Sequence, residues 1–369
     1  MAAPTTAAEL LDLVYQSGLT DEARLRTSVG NLAETQSLPP DPSRFAAALV
    51  RDGFLSTFQA GELVQGRWKG FSLGQYVLLE KLGVGRSCAF YLCEDTQLKR
   101  VAAIKLLPSA LAEVPDSLGR LYREARALAA CAHPNVVCAY HVEETEGLHF
   151  LAMEYIDGTN LLALVRRGPL DPIRAAHYVA QAAAGLQHVH EQGLVHRNVK
   201  PGKLMIDRNG TVKLGGMSIV LFTGDAQNRD ESLRGTPNYI APEQAVNSPG
   251  MNHRADIYSL GCTAYHLLTG RVPFPEGSSA EKIASHRTRE PQPIRELRPE
   301  VPEEMACVVE RMMNKTPDAR YQSAAEVAAA LAAWCRAPIS PPAAEELPDH
   351  CPRVREAIER SDRARPGTP

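Results

Sequence analysis

The chain has 369 residues, 44% of them hydrophobic and 22% charged, a globular composition with room for two or three domains. A net charge of −3 and a pI near 6.4 give no field that would draw nucleic acid or an acidic membrane. The eight cysteines are scattered, with no Cys-x-x-Cys and no cysteine–histidine cluster at zinc spacing, so they read as reduced thiols. The start, Met1-Ala-Ala-Pro-Thr-Thr, has neither the basic nor the apolar region of a signal peptide. No apolar run approaches the roughly 20 residues that span a bilayer. A soluble, cytoplasmic protein without a membrane span is the expectation.

Residues 1–72 read as a small helical prelude. Leu10, Leu11, Leu13 and Val14 make one apolar face. Thr20 with Asp21 and Glu22 starts a second helix, with acids in its first turn. Asp41-Pro42 starts a third, as N-cap and N1 proline, running through Phe45, Leu49 and Val50. Ser56-Thr-Phe-Gln59 has capping-box spacing for a fourth. Four short helices bury little area alone, so the prelude is expected to pack on its neighbour or to serve as a docking module.

Strand alternation starts at Tyr76-Val-Leu-Leu-Glu-Lys-Leu82. It leads into the glycine-rich turn Gly83-Val-Gly85-Arg-Ser-Cys88. Then come Ala89-Phe90-Tyr-Leu92 and Val101-Ala-Ala103-Ile-Lys105, a strand ending in a lysine. Leu121-Tyr-Arg-Glu124-Ala-Arg-Ala-Leu128 has helical spacing and is followed by His133-Pro-Asn-Val-Val137. A strand over Leu148–Ile156 carries Met153 and Glu154. Asp171 to Gln192 is an alanine-rich helix with Ala175, Tyr178, Val179, Ala182, Leu186 and Val189 on one stripe. His188 and His190 within it have no metal-ligand spacing and read as packed or surface residues. Leu194-Val-His196-Arg-Asn198-Val-Lys200-Pro-Gly-Lys203 follows, then two short strands joined by the turn Asp207–Gly210, and Gly216-Met217-Ser218. Downstream lie Gly235-Thr236-Pro-Asn-Tyr-Ile-Ala-Pro-Glu243, Ala255-Asp256-Ile-Tyr-Ser-Leu-Gly261 and Asp318-Ala-Arg320.

In this order and spacing the chain resembles a bacterial serine/threonine protein kinase from about Tyr76 to Ala333. The resemblance implies an α+β, two-lobed protein kinase fold, with a small β-rich N-lobe of about 73–156 and a large helical C-lobe of about 157–336. It implies an ATP site in which Gly83 and Gly85 cover the phosphates. Lys105 would hold the α- and β-phosphates and pair with Glu124. Glu154 to Ile156 would face the adenine edge, and Lys200 would stand near the phosphates. Phe90, Ala103, Met153 and Met205 would line the adenine pocket, with Phe90 bulkier than the small β-branched residue usual there. His196, Met217, Glu243, Asp256 and Arg320 fall on positions that hold the fold together. Lys200 and Thr236 mark the serine/threonine branch.

Besides Phe90, the third glycine of the loop is Cys88 and the glycine after Met217 is Ser218; three further departures fall on the positions that do chemistry. The family's catalytic-base Asp is Asn198, whose amide is not a usable base. Its magnesium-binding Asn is Lys203, which has no free lone pair while charged. Its second magnesium ligand, an Asp, is Gly216. No catalytic residue is intact, and no metal site is expected. ATP binding stays open, and magnesium is not expected to be held in the usual way. The leading reading is a pseudokinase: a signalling scaffold or allosteric module for protein partners, among them an active kinase, with weak or metal-independent ATP binding. The alternatives are an unorthodox active serine/threonine kinase that uses Lys105 and Glu124, and a purely structural domain whose pocket Phe90 closes. From Ala337 on, seven prolines and alternating charges predict a disordered tail over 337–369, with a transient turn or two at Val354–Ser361.

Overall fold

The computed structural model of the chain describes residues 2–27, 39, 41–85, 88–112, 117–217, 221–222, 237–246 and 251–364. The α+β architecture expected from sequence holds: a β-rich unit preceded by a helical segment, and a larger helical unit. The first unit comprises 1–118, 140–155 and 349–369, and the second comprises 119–139 and 156–348.

The β-rich unit is built on a six-stranded sheet. Its strands are β1 (Ser72–Leu73), β2 (Tyr76–Val84), β3 (Ala89–Asp95), β4 (Arg100–Leu107), β5 (Ala139–Thr145) and β6 (Leu148–Glu154). The spatial order is β1-β2-β3-β4-β6-β5. Fully buried Tyr76, Phe150 and Ile104 show why Tyr, Phe and Ile recur in these runs, since each fills one face of the pleat.

The prelude falls within this unit. Its helices Ala7–Ser17, Pro42–Arg51 and Thr57–Val64 begin at the caps Thr6, Asp41 and Ser56, and residues 22–27 are also helical. Leu10, Val14, Leu25, Phe45, Leu49, Leu55 and Leu63 form one core with Phe71. The reason for the docking lies in two polar residues. Ser56 and Gln59 form a reciprocal capping box. The Ser56 hydroxyl also donates to the Leu79 carbonyl, and Gln59 Nε2 donates to the Leu78 carbonyl at 2.7 Å. Both side chains are buried on β2, so the capping residues double as the joint.

The expected disordered tail is corrected. Pro352–Ala364 is a helix belonging to the β-rich unit. Val354, Ala357, Ile358 and Ser361 recur at helical spacing and are buried. Arg353 donates to the carbonyls of Phe54 (3.2 Å) and Leu19 (3.1 Å), and Arg360 pairs with Glu94 on β3 at 2.9 Å. The polar composition hid this helix because only four small or aliphatic positions need burial.

In the helical unit Pro172–Glu191 packs on Arg254–Thr269, which is buried nearly throughout. Asp171 caps the first of these, with proline at N1. A Cβ on Gly261 would stand 2.8 Å from Met312 Cβ, so the glycine permits close approach of the helix Glu303–Met312. Small strand pairings, Gly158–Asn160 with Leu204–Asp207 and Val212–Leu214, frame the functional loop. The helix Ser117–Ala129, placed in the N-lobe by sequence, has most of its length in this unit. Among the described residues no helix is long and apolar enough to cross a membrane.

Candidate functional site

The β-rich unit holds one group of candidate residues on one sheet face. Phe90 on β3, Lys105 on β4 and Leu151 on β6 are direct cross-strand partners, and so are Leu92, Ala103 and Met153. Opposed residues point to the same side of a sheet, and so do residues two apart along a strand. The register therefore puts Phe90, Ala103, Lys105 and Met153 together, with Leu92 and Leu151, which the sequence did not single out. Glu154 ends β6 opposite Ala102 and is half-buried. Gly83 pairs with Phe90, while the Gly85 N–H donates to the Cys88 carbonyl at 2.8 Å and closes the turn. A Cβ on Gly85 would lie 3.2 Å from Cys88 Sγ and 3.7 Å from the Phe90 ring. Phe90 thus leans under the glycine turn.

The helical unit holds the second group. Asp256, in the first turn of its helix and fully buried, accepts three bonds: from the N–H of His196 (2.8 Å), the N–H of Arg197 (2.7 Å) and His190 Nε2 (2.9 Å). Burial alone would raise this carboxyl, but the bond and charge of His190 and the bonds from the loop outweigh it and hold it below the usual range. The bonds pin Arg197 at φ +64, a left-handed conformation that a non-glycine side chain does not adopt freely. Gln244 Nε2 closes the turn from the other side by donating to the Arg197 carbonyl at 2.8 Å. Neither Gln244 nor the His190 bond was legible in sequence, because both depend on distant elements meeting.

His196 is fully buried. Its Nδ1 accepts from the Asn198 N–H (3.2 Å) and its Nε2 donates to the Gly215 carbonyl (3.3 Å), which describes a neutral ring. Burial pushes its pKa down; the Lys203 ammonium acts in the same direction, against Asp256 and Glu124. Glu124 on Ser117–Ala129 is 2% exposed. Lys203 ends the short 3-10 turn Pro201–Lys203, where its N–H donates to the Lys200 carbonyl and its carbonyl accepts from the Gly215 N–H, each at 2.9 Å. Its side chain reaches back over the next stretch of chain: a Cβ on Gly216 would stand 2.5 Å from Lys203 Nζ. Met217 beside it is fully buried. Met205 pairs with Lys213 and Asn160, Lys200 is half-buried and Ile156 is buried.

Farther off, Arg320 is buried and grips Glu243 in a fork of 2.7 and 2.8 Å, while also donating to the carbonyls of Asn314 and Arg254. Ser218, Gly235 and Thr236 lie outside the described residues.

This donor set does not fit a magnesium ion. Positions 198, 203 and 216 present an amide, an ammonium and no side chain, and the ammonium stands where a ligand from 216 would begin. Asp207 is committed elsewhere, since its Oδ1 accepts from the N–H groups of Asn209 (2.9 Å) and Thr211 (2.8 Å) within the turn. Among the described residues no three His, Cys, Asp or Glu side chains group as metal ligands.

The family model for the protein kinase domain matches residues 76–331. Serine/threonine-protein kinase PknB of Mycolicibacterium smegmatis is 37% identical over 265 residues, 70% of this chain and 42% of that protein. A probable serine/threonine-protein kinase of Streptomyces coelicolor is 36% identical over 69% of this chain and 39% of its own length. Serine/threonine-protein kinase PrkC of Bacillus subtilis is 32% identical over 69% of this chain and 40% of its own. The chain thus spans about two fifths of the length of these curated relatives.

Proposed function

The chain belongs to the protein kinase family, and from that premise we propose that it is a pseudokinase, a kinase-like module that binds protein partners rather than transferring phosphate. The observation that carries this reading is the trio Asn198, Lys203 and Gly216, with the Lys203 side chain filling the space beside Gly216. Loss of a positioned base removes about 10²–10⁴-fold in rate. Loss of both metal ligands removes a further stabilisation of several kcal/mol, on the order of the Lewis-acid contribution. Catalysis in this family is mainly positioning and charge neutralisation, so little transfer is left.

Nucleotide binding in this reading is weak and does not need metal. Lys105 supplies one ammonium to the phosphates, and Lys203 and Lys200 supply charge where the family holds a divalent ion. One observation favours a second reading, a closed pocket: Phe90 lies in the same cross-strand row as Lys105 and leans toward Gly85.

Radiolabelled ATP with the full chain and a Lys105→Met control tests the first claim. Incorporation at the control level, with magnesium or manganese, is expected; a signal well above it overturns the pseudokinase. A thermal-shift titration with ATP tests the second. Ligand at about 100 times its dissociation constant stabilises by roughly 2.7 kcal/mol. The expected shift is the same in chelator as in magnesium, and smaller in Lys203→Ala. A shift seen only with magnesium removes the lysine argument. No shift at millimolar ATP supports the closed pocket, and Phe90→Val is then expected to open it.

A further inference from the structure

The chain passes from the β-rich unit to the helical unit at Tyr155–Asp157, and passes back at Pro348–Asp349. Within each unit, the second passage is bonded to the first. In the helical unit Arg208 links them: its Nε holds the Asp157 carboxylate at 2.5 Å and its guanidinium donates to the Pro348 carbonyl at 2.9 Å. In the β-rich unit the Tyr155 hydroxyl meets His350 Nε2 at 3.4 Å.

We propose that residues 346–353 form a strap that splints the connector Tyr155–Asp157. Both ends of the strap are anchored. At one end Glu346 forks to Arg174 at 2.8 and 2.6 Å, and the Ala343 N–H donates to the same carboxylate. A bidentate Arg–carboxylate pair fixes orientation as well as position. That bond holds the Glu346 carboxyl below its ordinary range. At the other end Arg353 donates to two prelude carbonyls, and the helix Pro352–Ala364 buries its apolar stripe. Between the anchors, Pro348 carries a fixed φ, which stiffens the span.

A short connector with free backbone dihedrals samples many conformations, and fixing each residue costs conformational entropy. The strap supplies that restraint to the connector through Arg208 and Tyr155. It is a conformational control built from residues 346–353 and the helix after them. The inference stands whether or not nucleotide binds, because its test reads the connector directly.

The test is hydrogen exchange on the full chain, followed over residues 152–160. Two variants loosen the strap differently. Arg208→Ala with His350→Ala removes both clasps. Insertion of Gly-Ser-Gly between Pro348 and Asp349 keeps every clasp residue and adds slack. Each is expected to speed exchange over 155–158 on the order of tenfold, with the strand Arg100–Leu107 and the helix Pro352–Ala364 unchanged. Connector exchange that stays at the wild-type rate in the insertion variant overturns the strap. So does an equal loss of protection across the whole β-rich unit, which would mark a general packing role.

Discussion

Lys203 lays its ammonium where the side chain of residue 216 would begin: Nζ stands 2.5 Å, and Cε 2.6 Å, from the position of a Cβ on Gly216. The two departures from the kinase pattern are therefore one packing arrangement. An added side chain at 216 and the lysine at 203 compete for the same space. Gly216 also has φ +78, where any other residue is strained.

Gly216→Ala is expected to destabilise the chain by about 1–3 kcal/mol through backbone strain and displacement of the lysine. In a Lys203→Ala background only the strain is left, so the methyl is expected to cost less by about 0.5 kcal/mol or more. A double-mutant cycle by urea unfolding measures this. Strict additivity would remove the packing relation.

Restoring the chemistry should show the same dependence. Asn198→Asp with Lys203→Asn and Gly216→Asp is expected to regain a magnesium-dependent thermal shift with ATP. Asn198→Asp with Gly216→Asp alone is expected not to, since Lys203 keeps its charge in the metal's place. Equal magnesium dependence in the two variants would contradict this.

Acid should loosen the fold from pH 6.5 downward, starting above the ordinary carboxylate range. His266 and His286 are each held down to about 4 by burial, against an ordinary 6.5. A lowered histidine pKa means that the unfolded chain binds the proton more readily. Its stabilising contribution is thus complete above pH 6.5 and is lost as pH falls toward 4. Each site contributes a slope of up to about 1.4 kcal/mol per pH unit. The Tyr258 hydroxyl lies 2.9 Å from His286 Nδ1 and loses an acceptor when that nitrogen is protonated. Denaturant unfolding from pH 7 to 4.5 should show the decline, and His286→Gln should flatten it. Parallel curves would count against this assignment. Asp256, held low, contributes at all pH above the ordinary aspartate range and is lost only below it.

The prelude should prove inseparable from the sheet. Gln59→Ala leaves the Leu78 carbonyl buried without this donor and is expected to cost about 1–2 kcal/mol. Deleting residues 1–71 also removes the two carbonyls that hold Arg353. Amides of Pro352–Ala364 are then expected to exchange freely. Full protection of that helix in the deletion would show that the two ends fold independently.

What the sequence determined by itself was local: the order of strands, helices and turns, the caps at Asp41 and Ser56, and the identities at 198, 203 and 216. Such features are carried by neighbours along the chain, through backbone periodicity, end-capping and the chemistry of a single side chain. The tertiary structure decided what lies next to what. It put Phe90 beside Lys105 through strand register, brought His190 to Asp256 and Gln244 to the Arg197 carbonyl, and laid Lys203 over Gly216. It also made a helix of Pro352–Ala364 within a proline-rich, charged stretch. The spacing of Val354, Ala357, Ile358 and Ser361 has meaning only against a surface to cover, and the prelude carbonyls that receive Arg353 come from residues about 300 or more positions earlier. Contacts of that separation are set by how elements pack, and no local periodicity encodes them.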